Sequence, residues 1–500
     1  MMKKLTIKKV NVKHIIGMTL LSILMGSCGE DWLGGNPLGR LTEEDIPPGS
    51  LEGQAFGIYA GLRSEGTSGL PYVAIHNIRA DDAEVGGGPA DEAGAAPIFD
   101  NFGYSKDYWL TNNYWSDHYQ LIARANNLLD AADTIATPTE QTAINVAEAK
   151  FARAFAYFNL VRTFGEVPKI DFRIETQEQA IVPKSSIAEI YALIDEDLQD
   201  AVANLPISWE TRFIGRLTKG AALALQAKTQ LARNNWSGAL GAARMVMESG
   251  QYDLSVPYDM IFREQSENSK ESIFEIQAHY DQNTRDVGIT YANRQGLRGS
   301  GAFDLGWGWN IPNEILLDAF EEGDPRKDVT VLYSGRVNEP YGEDIPGNLD
   351  RQYWNKKVYT DPSIRASVGS QTGDWFNFRV IRYADVVLIA AEAANELGQT
   401  DLALEYLEQV RARARGNNPD ILPEVTTRDQ EELRQAIRHE RQVELGMENE
   451  RFYDLVRWGI DVETFHAAGK TSYQTKHRFI PIPQVEIDRS GGVLEQNPDY

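Results

Sequence analysis

The 500-residue chain has one cysteine, Cys28. This excludes a disulfide framework and any site built on paired thiolates. The fold must hold by core packing, which this length allows. Histidine is also scarce. His14, His76, His118, His279, His439, His466 and His477 include no pair at helical metal-ligand spacing. The sequence has no H-E-x-x-H, no G-x-S-x-G and no Walker loop. The nearest glycine-rich match, GSGAFD from Gly299, lacks a third glycine and a preceding strand and reads as a loop. Basic residues are few. Lys and Arg number 49 against 73 Asp and Glu, for a net charge of −24, so the basic face that nucleic acid requires is missing. The same charge disfavours docking on anionic lipid. No cofactor, no metal and no catalysis are expected. Asp81 and Asp82 could serve as an acid–base carboxylate pair. Adjacent residues, however, rarely give the separation that glycoside hydrolysis needs, so a solvated turn or a sugar-hydroxyl acceptor is the better reading.

What is present begins at the N-terminus. MMKKLTIKKVNVKH carries five lysines and no acid. Ile15 to Met25 is a short apolar run, and Gly26 and Ser27 lead to Cys28. A basic start, a short apolar run and a small-residue site make a secretory signal, and the run falls short of the roughly 20 residues that span a bilayer. The cysteine after small residues resembles the lipobox of bacterial lipoproteins, although Met25 stands where leucine is usual. Residues 1–27 are therefore expected to be a signal peptide, with Cys28 as the lipid-attachment residue and 28–50 as anchor and tether. Glu30 and Asp31 resemble the export tag of surface lipoproteins in Bacteroidetes. Loss of the signal removes five lysines and no acid, taking the charge from −24 to −29. Two or three acyl chains anchor a protein stably where one does so only marginally.

Residues 51–500 read as a single, mainly α-helical domain. In YQLIARANNLLDAAD, Leu121, Ala125, Leu128, Leu129 and Ala132 share one face. Phe151, Phe155 and Phe158 do so in the next helix, which Gly165 and Pro168 end. SSIAEIYALIDEDLQDAVANLP opens with Ser186 and Glu189 as a capping box and stops at Pro206. KGAALALQAKTQLARNNWSGALGAARMVMESG and RYADVVLIAAEAANELGQTDLALEYLEQVRARARG each read as a helical hairpin. Ala239, Ala243 and Val246 of the first match Ala403, Leu407 and Val410 of the second, and Gly398 marks a turn. Such hairpins resemble tetratricopeptide repeats; an ordinary helical bundle is the alternative. A long insertion separates the two units. Two Gly- and aromatic-rich stretches, residues 76–115 and 290–328, show little periodicity, and long irregular segments usually carry function or are disordered. Their aromatics argue against disorder.

IRHERQVELGMENERFYDLVRWG, residues 437–459, reads as one buried helix with a salt-bridged rim. Glu440, Arg441 and Glu444 lie on it, with Asp454 and Arg457 further on. With its neighbours it says more. ERQVELGMENERFYDLVRWG resembles the late helix of the SusD/RagB family, and VIRYADVVLIAAEAANELG resembles that family's central repeat helix. HRFIPIPQVEIDRSGGVLEQNPDY resembles its C-terminal tail, and DAFEEGDPRKD its acidic turn at Asp324, Pro325 and Arg326. The resemblance runs from Cys28 to Tyr500. It implies a tetratricopeptide-like superhelix with long binding loops on one side. It also implies a lipid-anchored, cell-surface, outer-membrane protein that binds oligosaccharide and passes it to a SusC-like, TonB-dependent transporter. A peptide or glycopeptide ligand, or a lid role with little ligand binding of its own, remains open.

Within that resemblance the ligand loops fall near 79–109 and 291–310. A sugar offers apolar C–H faces and a ring of hydroxyls, so a binder needs flat aromatics and a few polar side chains. Trp307, Trp309 and Tyr291 are the candidates in the second loop, with Gly306 and Gly308 read as giving the tryptophans an uncrowded backbone. In the first loop the candidates are Trp109 and Tyr108, with Tyr104 behind them. Arg79, Asp81 and Asp82 are the polar candidates. Trp115 is expected in the core; Trp354 and Trp375 have no assigned place.

Overall fold

A computed structural model describes residues 50–280 and 287–500. Cys28, Glu30, Asp31, the signal segment and the tether as far as residue 49 lie outside the described residues. The body is mainly helical. Helix α1, Leu51–Leu62, starts where the Ser50 hydroxyl accepts from the Gly53 N–H. Helices α2 (Trp109–Asp133) and α3 (Glu140–Phe164) form the first long antiparallel pair. Gly165 ends α3 at φ +78°, a conformation that L side chains rarely adopt. Helix α4, Ile187–Asn204, carries the Ser186–Glu189 capping box read from the sequence. The two hairpins follow as α5 (Lys219–Leu231) with α6 (Trp236–Glu248), and α7 (Tyr383–Glu396) with α8 (Thr400–Arg415). Gly398, at φ +72°, makes the second turn.

The helices stack in chain order: α2 on α3, α3 on α4, α4 on α5, α5 on α6. Helix α6 then packs directly on α7, although more than a hundred residues separate them in the chain. Small side chains permit this approach. Ala239 and Ala243 of α6 and Ala390, Ala391 and Ala394 of α7 are fully buried. The intervening segment leaves and returns through one antiparallel pair, β2 (Ser272–Ile276) with β4 (Phe378–Arg382). A second pair joins the two irregular stretches: β1 (Ala83–Val85) lies antiparallel to β3 (Asn310–Pro312), with Glu84 opposite Ile311. The first stretch is less irregular than expected. It contains helix Pro89–Phe99, in which Ala95 and Phe99 alone are buried. A helix that exposes most of its circumference has no apolar stripe to reveal it.

The C-terminal signature is also broken where one helix was expected. Helix α9 (Gln430–Leu445) stops at Gly446, and α10 (Arg451–Trp458) starts anew. Between them Met447 and Asn449 take φ of +67° and +72°. The break frees Glu448 to reach Lys357 and Arg382, and lets the Asn449 N–H donate to Asn77 at 3.2 Å.

The charges of α9 and α10 are not a rim but a buried network. Glu440 and Glu444 are 0% exposed. Arg326, from the acidic turn, donates to Asp324 at 2.8 Å and to Glu440 and Glu444. Arg382 and Arg413 also reach Glu444, and Arg441 bridges Asp385 at 3.0 Å and Asp454 at 2.9 Å. Burial pushes the Glu444 carboxyl up, but Arg413, Arg382, Arg326 and Lys357 overcome it and hold the group well below the usual carboxylate range. Its folded value lies below its unfolded value. The stability it contributes is therefore complete above about pH 5 and is lost as pH falls through the unfolded pKa, about 4.3, toward the folded one. Glu444→Gln, which leaves three guanidinium groups under-compensated, is expected to cost about 3–5 kcal/mol. It should also flatten the acid limb of the stability–pH curve. Urea titrations at a series of pH values check both, and a wild-type acid limb in the variant would refute the assignment.

Candidate functional site

The second irregular stretch folds back on itself over the short helix Tyr291–Gln295. The Leu305 N–H donates to the Leu297 carbonyl at 2.9 Å, the Trp307 N–H to that of Asn293 at 2.8 Å, and the Trp309 N–H to that of Arg294 at 3.0 Å. The glycines here are not in open space, as the sequence suggested. A Cβ on Gly306 would stand 2.2 Å from the Asn293 carbonyl oxygen, and one on Gly308 would stand 2.5 Å from the Trp354 ring. Gly308 has φ +65°, and across it the two indoles part. Trp307 is 41% exposed, whereas Trp309 is 6% exposed and packs in the main core.

The outward indole is held from behind. The Arg294 guanidinium lies 3.8 Å from the centroid of the Trp307 ring. Arg294 Nε in turn donates to Glu65 Oε1 at 3.0 Å, and the Thr290 hydroxyl donates to Glu65 Oε2 at 2.5 Å. Glu65 opens the short helix Glu65–Ser68, which packs on the first turns of α2. The Gly66 N–H donates to Asp117 Oδ2 at 2.6 Å, and a Cβ on Gly66 would meet the Asn113 carbonyl at 2.3 Å. This contact chain links Trp307 to α2, whose first residue is Trp109, 45% exposed. Asn113, also exposed, lies one turn further on. Tyr108 is half-buried and meets Phe99 edge-on, with centroids 5.7 Å apart. The exposed indole thus stands before a guanidinium and a carboxylate. Those are the group types that stack on a sugar ring and sort its hydroxyls.

Four other candidates are turned inward. Tyr291 is buried, stacks on Phe378 at 4.1 Å and accepts from Asn449. Arg79 is 0% exposed. Its Nε donates to the Ile75 carbonyl, and its guanidinium sits 3.6 Å above the Phe452 ring. Asp81 takes a bidentate pair from Arg451 at 2.9 and 2.8 Å. Asp82 is buried beside it and accepts from Gln442 at 3.3 Å. Burial, then the charge of Asp81, pushes the Asp82 carboxyl up to about 7 against the pull of Arg451. Trp309, Tyr291, Arg79, Asp81 and Asp82 are thus buried and brace the loops. The turn IRADDAEV packs under α10 instead of facing solvent, because its carboxylates meet the arginine of the C-terminal signature. Trp115, as expected, is core at 4% exposed. Trp354 is fully buried and donates to Ser334, and Trp375 is 8% exposed. Glu65, Arg294 and Asn113 were not singled out by sequence reasoning. Each comes from a different stretch, and no spacing links them.

Among the described residues, no group of three or more His, Cys, Asp or Glu is placed to hold a metal ion, and no helix is long and apolar enough to cross a membrane.

A helical-repeat body whose insertions carry an open aromatic surface defines the class of protein. Comparison with known proteins gives the family. Residues 270–500 match the model described as the SusD family, and residues 99–231 match one described as starch-binding, associating with outer membrane. SusD-like protein P2 of Formosa agariphila is 28% identical, over 98% of this chain and 100% of its own. A SusD-like protein of Bacteroides ovatus is 27% identical over 69% of this chain and 65% of its own. A solved structure of a laminarin-binding SusD-like protein aligns with TM-score 0.76 at 29% identity, over 90% of this chain and 99% of the other. Surface glycan-binding protein A of Bacteroides thetaiotaomicron, in complex with laminarihexaose, shares the fold at TM-score 0.75 and 23% identity, over 89% and 98%. Over most of its length the chain is SusD-like.

The contrast between the two indoles can be tested by stability alone. Trp307→Ala removes a partly exposed indole and its contact with the Arg294 guanidinium and should cost about 1 kcal/mol. Trp309→Ala opens a core cavity and should cost about 3–5 kcal/mol. Chemical denaturation of both variants measures the difference, and equal losses would contradict the placement.

Proposed function

We propose that this protein is a cell-surface, outer-membrane lipoprotein, anchored through Cys28, that captures an oligosaccharide and delivers it to a SusC-like, TonB-dependent transporter. The observation that carries the binding role is Trp307: a large exposed indole fixed by a cation behind it. One face of a sugar ring matches it, and Asn113, Glu65 and Asp117 would serve the hydroxyls. The family's description as starch-binding and the laminarin-binding relative at 29% identity support a glucan ligand. Laminarihexaose is the first ligand to try. The protein's part is binding and transfer, without bond cleavage.

Calorimetry of the purified protein with laminarihexaose and a glycan panel tests the reading. Trp307→Ala should weaken the bound glycan by about thirtyfold, the effect of losing a central aromatic anchor. Unchanged affinity would move the site elsewhere. Silence across the panel would favour a peptide ligand or a lid that binds little unaided.

Anchoring has its own test. Cys28→Ala should leave the precursor unprocessed or the protein unanchored, and its full retention in washed membranes would refute lipidation.

A further inference from the structure

A cavity of about 350 Å³ lies apart from the Trp307 surface, between α3, α4, α5 and α10. Its wall is largely apolar and aromatic, with Phe158, Tyr191, Tyr453 and Phe479. Phe158 and Tyr191 meet edge-on, with centroids 6.5 Å apart. Ile187, 38% exposed, and Asn234, also exposed, stand at the solvent side. The volume is that of a small-ligand site.

The cations on this cavity are unequally served. Lys228 has Glu450 at 2.9 Å and Asp385 at 2.6 Å. Arg233 has Asp195 at 2.7 Å. Arg441 and Arg457 share Asp454, at 2.9 and 2.8 Å. Arg162 differs: among the described residues, no carboxylate lies within ion-pair distance of it. Its partners are neutral. Nη2 donates to Asn159 Oδ1 at 2.8 Å and meets His76 Nδ1 at 3.3 Å. Its guanidinium lies 4.5 Å from the Phe158 ring centroid and 4.2 Å from that of Tyr453. Nε is buried with no hydrogen-bond partner. Burial, then Arg162 itself, holds the His76 imidazole well below its usual value, so that side chain offers a lone pair and no charge. Asparagine, neutral imidazole and two ring faces hold the cation in position, and the carboxylate charge that acts on it, Glu450, is bonded to Lys228 and leaves the guanidinium fork unpaired. A half-buried guanidinium in that state attracts an anion, and carboxylate matches its fork.

We propose that this cavity is a second ligand site, which takes a small organic acid whose carboxylate pairs with Arg162 and whose ring packs on the wall of Phe158, Tyr191 and Tyr453. The shared chemistry is a ring-bearing carboxylate of monosaccharide size. An aromatic acid and a sugar acid both satisfy it.

Calorimetry on the purified protein decides, with benzoate and glucuronate as probes and benzamide and glucose as their neutral counterparts. At least one acid should bind saturably, and its neutral counterpart about tenfold or more weakly, because the charged hydrogen bond is then missing. Benzoate alone would identify an aromatic acid, and glucuronate alone a sugar acid; both results support the site. Arg162→Gln should abolish acid binding while leaving laminarihexaose binding and melting temperature at wild-type values. If that variant does not fold, the acid-against-neutral comparison on the native protein still decides. Equal binding of acid and neutral forms, or no binding of either acid up to about 10 mM, would overturn the proposal.

Discussion

Glu444 stays ionised in a site that no water reaches, and much of the architecture follows from that. An isolated carboxylate there would be prohibitively costly, so it persists because guanidinium groups converge on it from separate parts of the chain. Arg326 comes from the acidic turn of the insertion, Arg382 from the end of β4, and Arg413 from the second helix of the late hairpin. Each of those segments must be in its final place for the charge to be balanced. Glu440 works the same way, taking Arg326 on one oxygen and Arg411 on the other. A second buried cluster lies beside it: Arg441 pairs with Asp385 and Asp454, and Lys228 with Asp385 and Glu450. It thereby connects the two hairpins to each other and to α10. Hydrophobic packing of alanine-rich helices would allow small slides along the stack; directional charged hydrogen bonds favour one register.

With the stack set, the loops have a firm base. The pair β2–β4 brings the insertion back to the start of α7, and β1–β3 fastens the first irregular stretch to the second. The Trp307 surface depends on both. Its indole is placed by a backbone turn over Tyr291–Gln295, its cation by Glu65, and Glu65 by α2. The inward candidates serve the same end. Asp81 clamps the first stretch to Arg451, and the stack of Tyr291 on Phe378 seats the second stretch on β4. The buried polar residues of the loops are thus supports for the exposed ones.

The helical body was largely legible in the sequence. Caps such as Ser186–Glu189, the periodic apolar residues and the alanine-rich hairpins act within a turn or two of helix, so local sequence carries them. The sequence left open which loop aromatics face water. Trp307 and Trp309 stand two residues apart between glycines, and nothing local distinguishes them. Their fates separate because Gly308 adopts positive φ and because the Trp309 carbonyl accepts from Gly86, more than two hundred residues away. The Asp81–Asp82 pair looked solvated for the same reason, since Arg451 lies 370 positions further on.

By itself the sequence determined the helices, their caps, the repeat hairpins and the family, all of which rest on short-range pattern or on recognisable motifs. Tertiary structure alone decided that the two hairpins stack across a long insertion, that the signature breaks at Gly446, and that its charges are buried. It also decided that Arg294 and Glu65 gather by one exposed indole, while Arg162, among the described residues, has no carboxylate within ion-pair distance. The physical reason is range. Burial and charge compensation are properties of contacts between segments far apart in the chain, and no local pattern encodes which segments will meet.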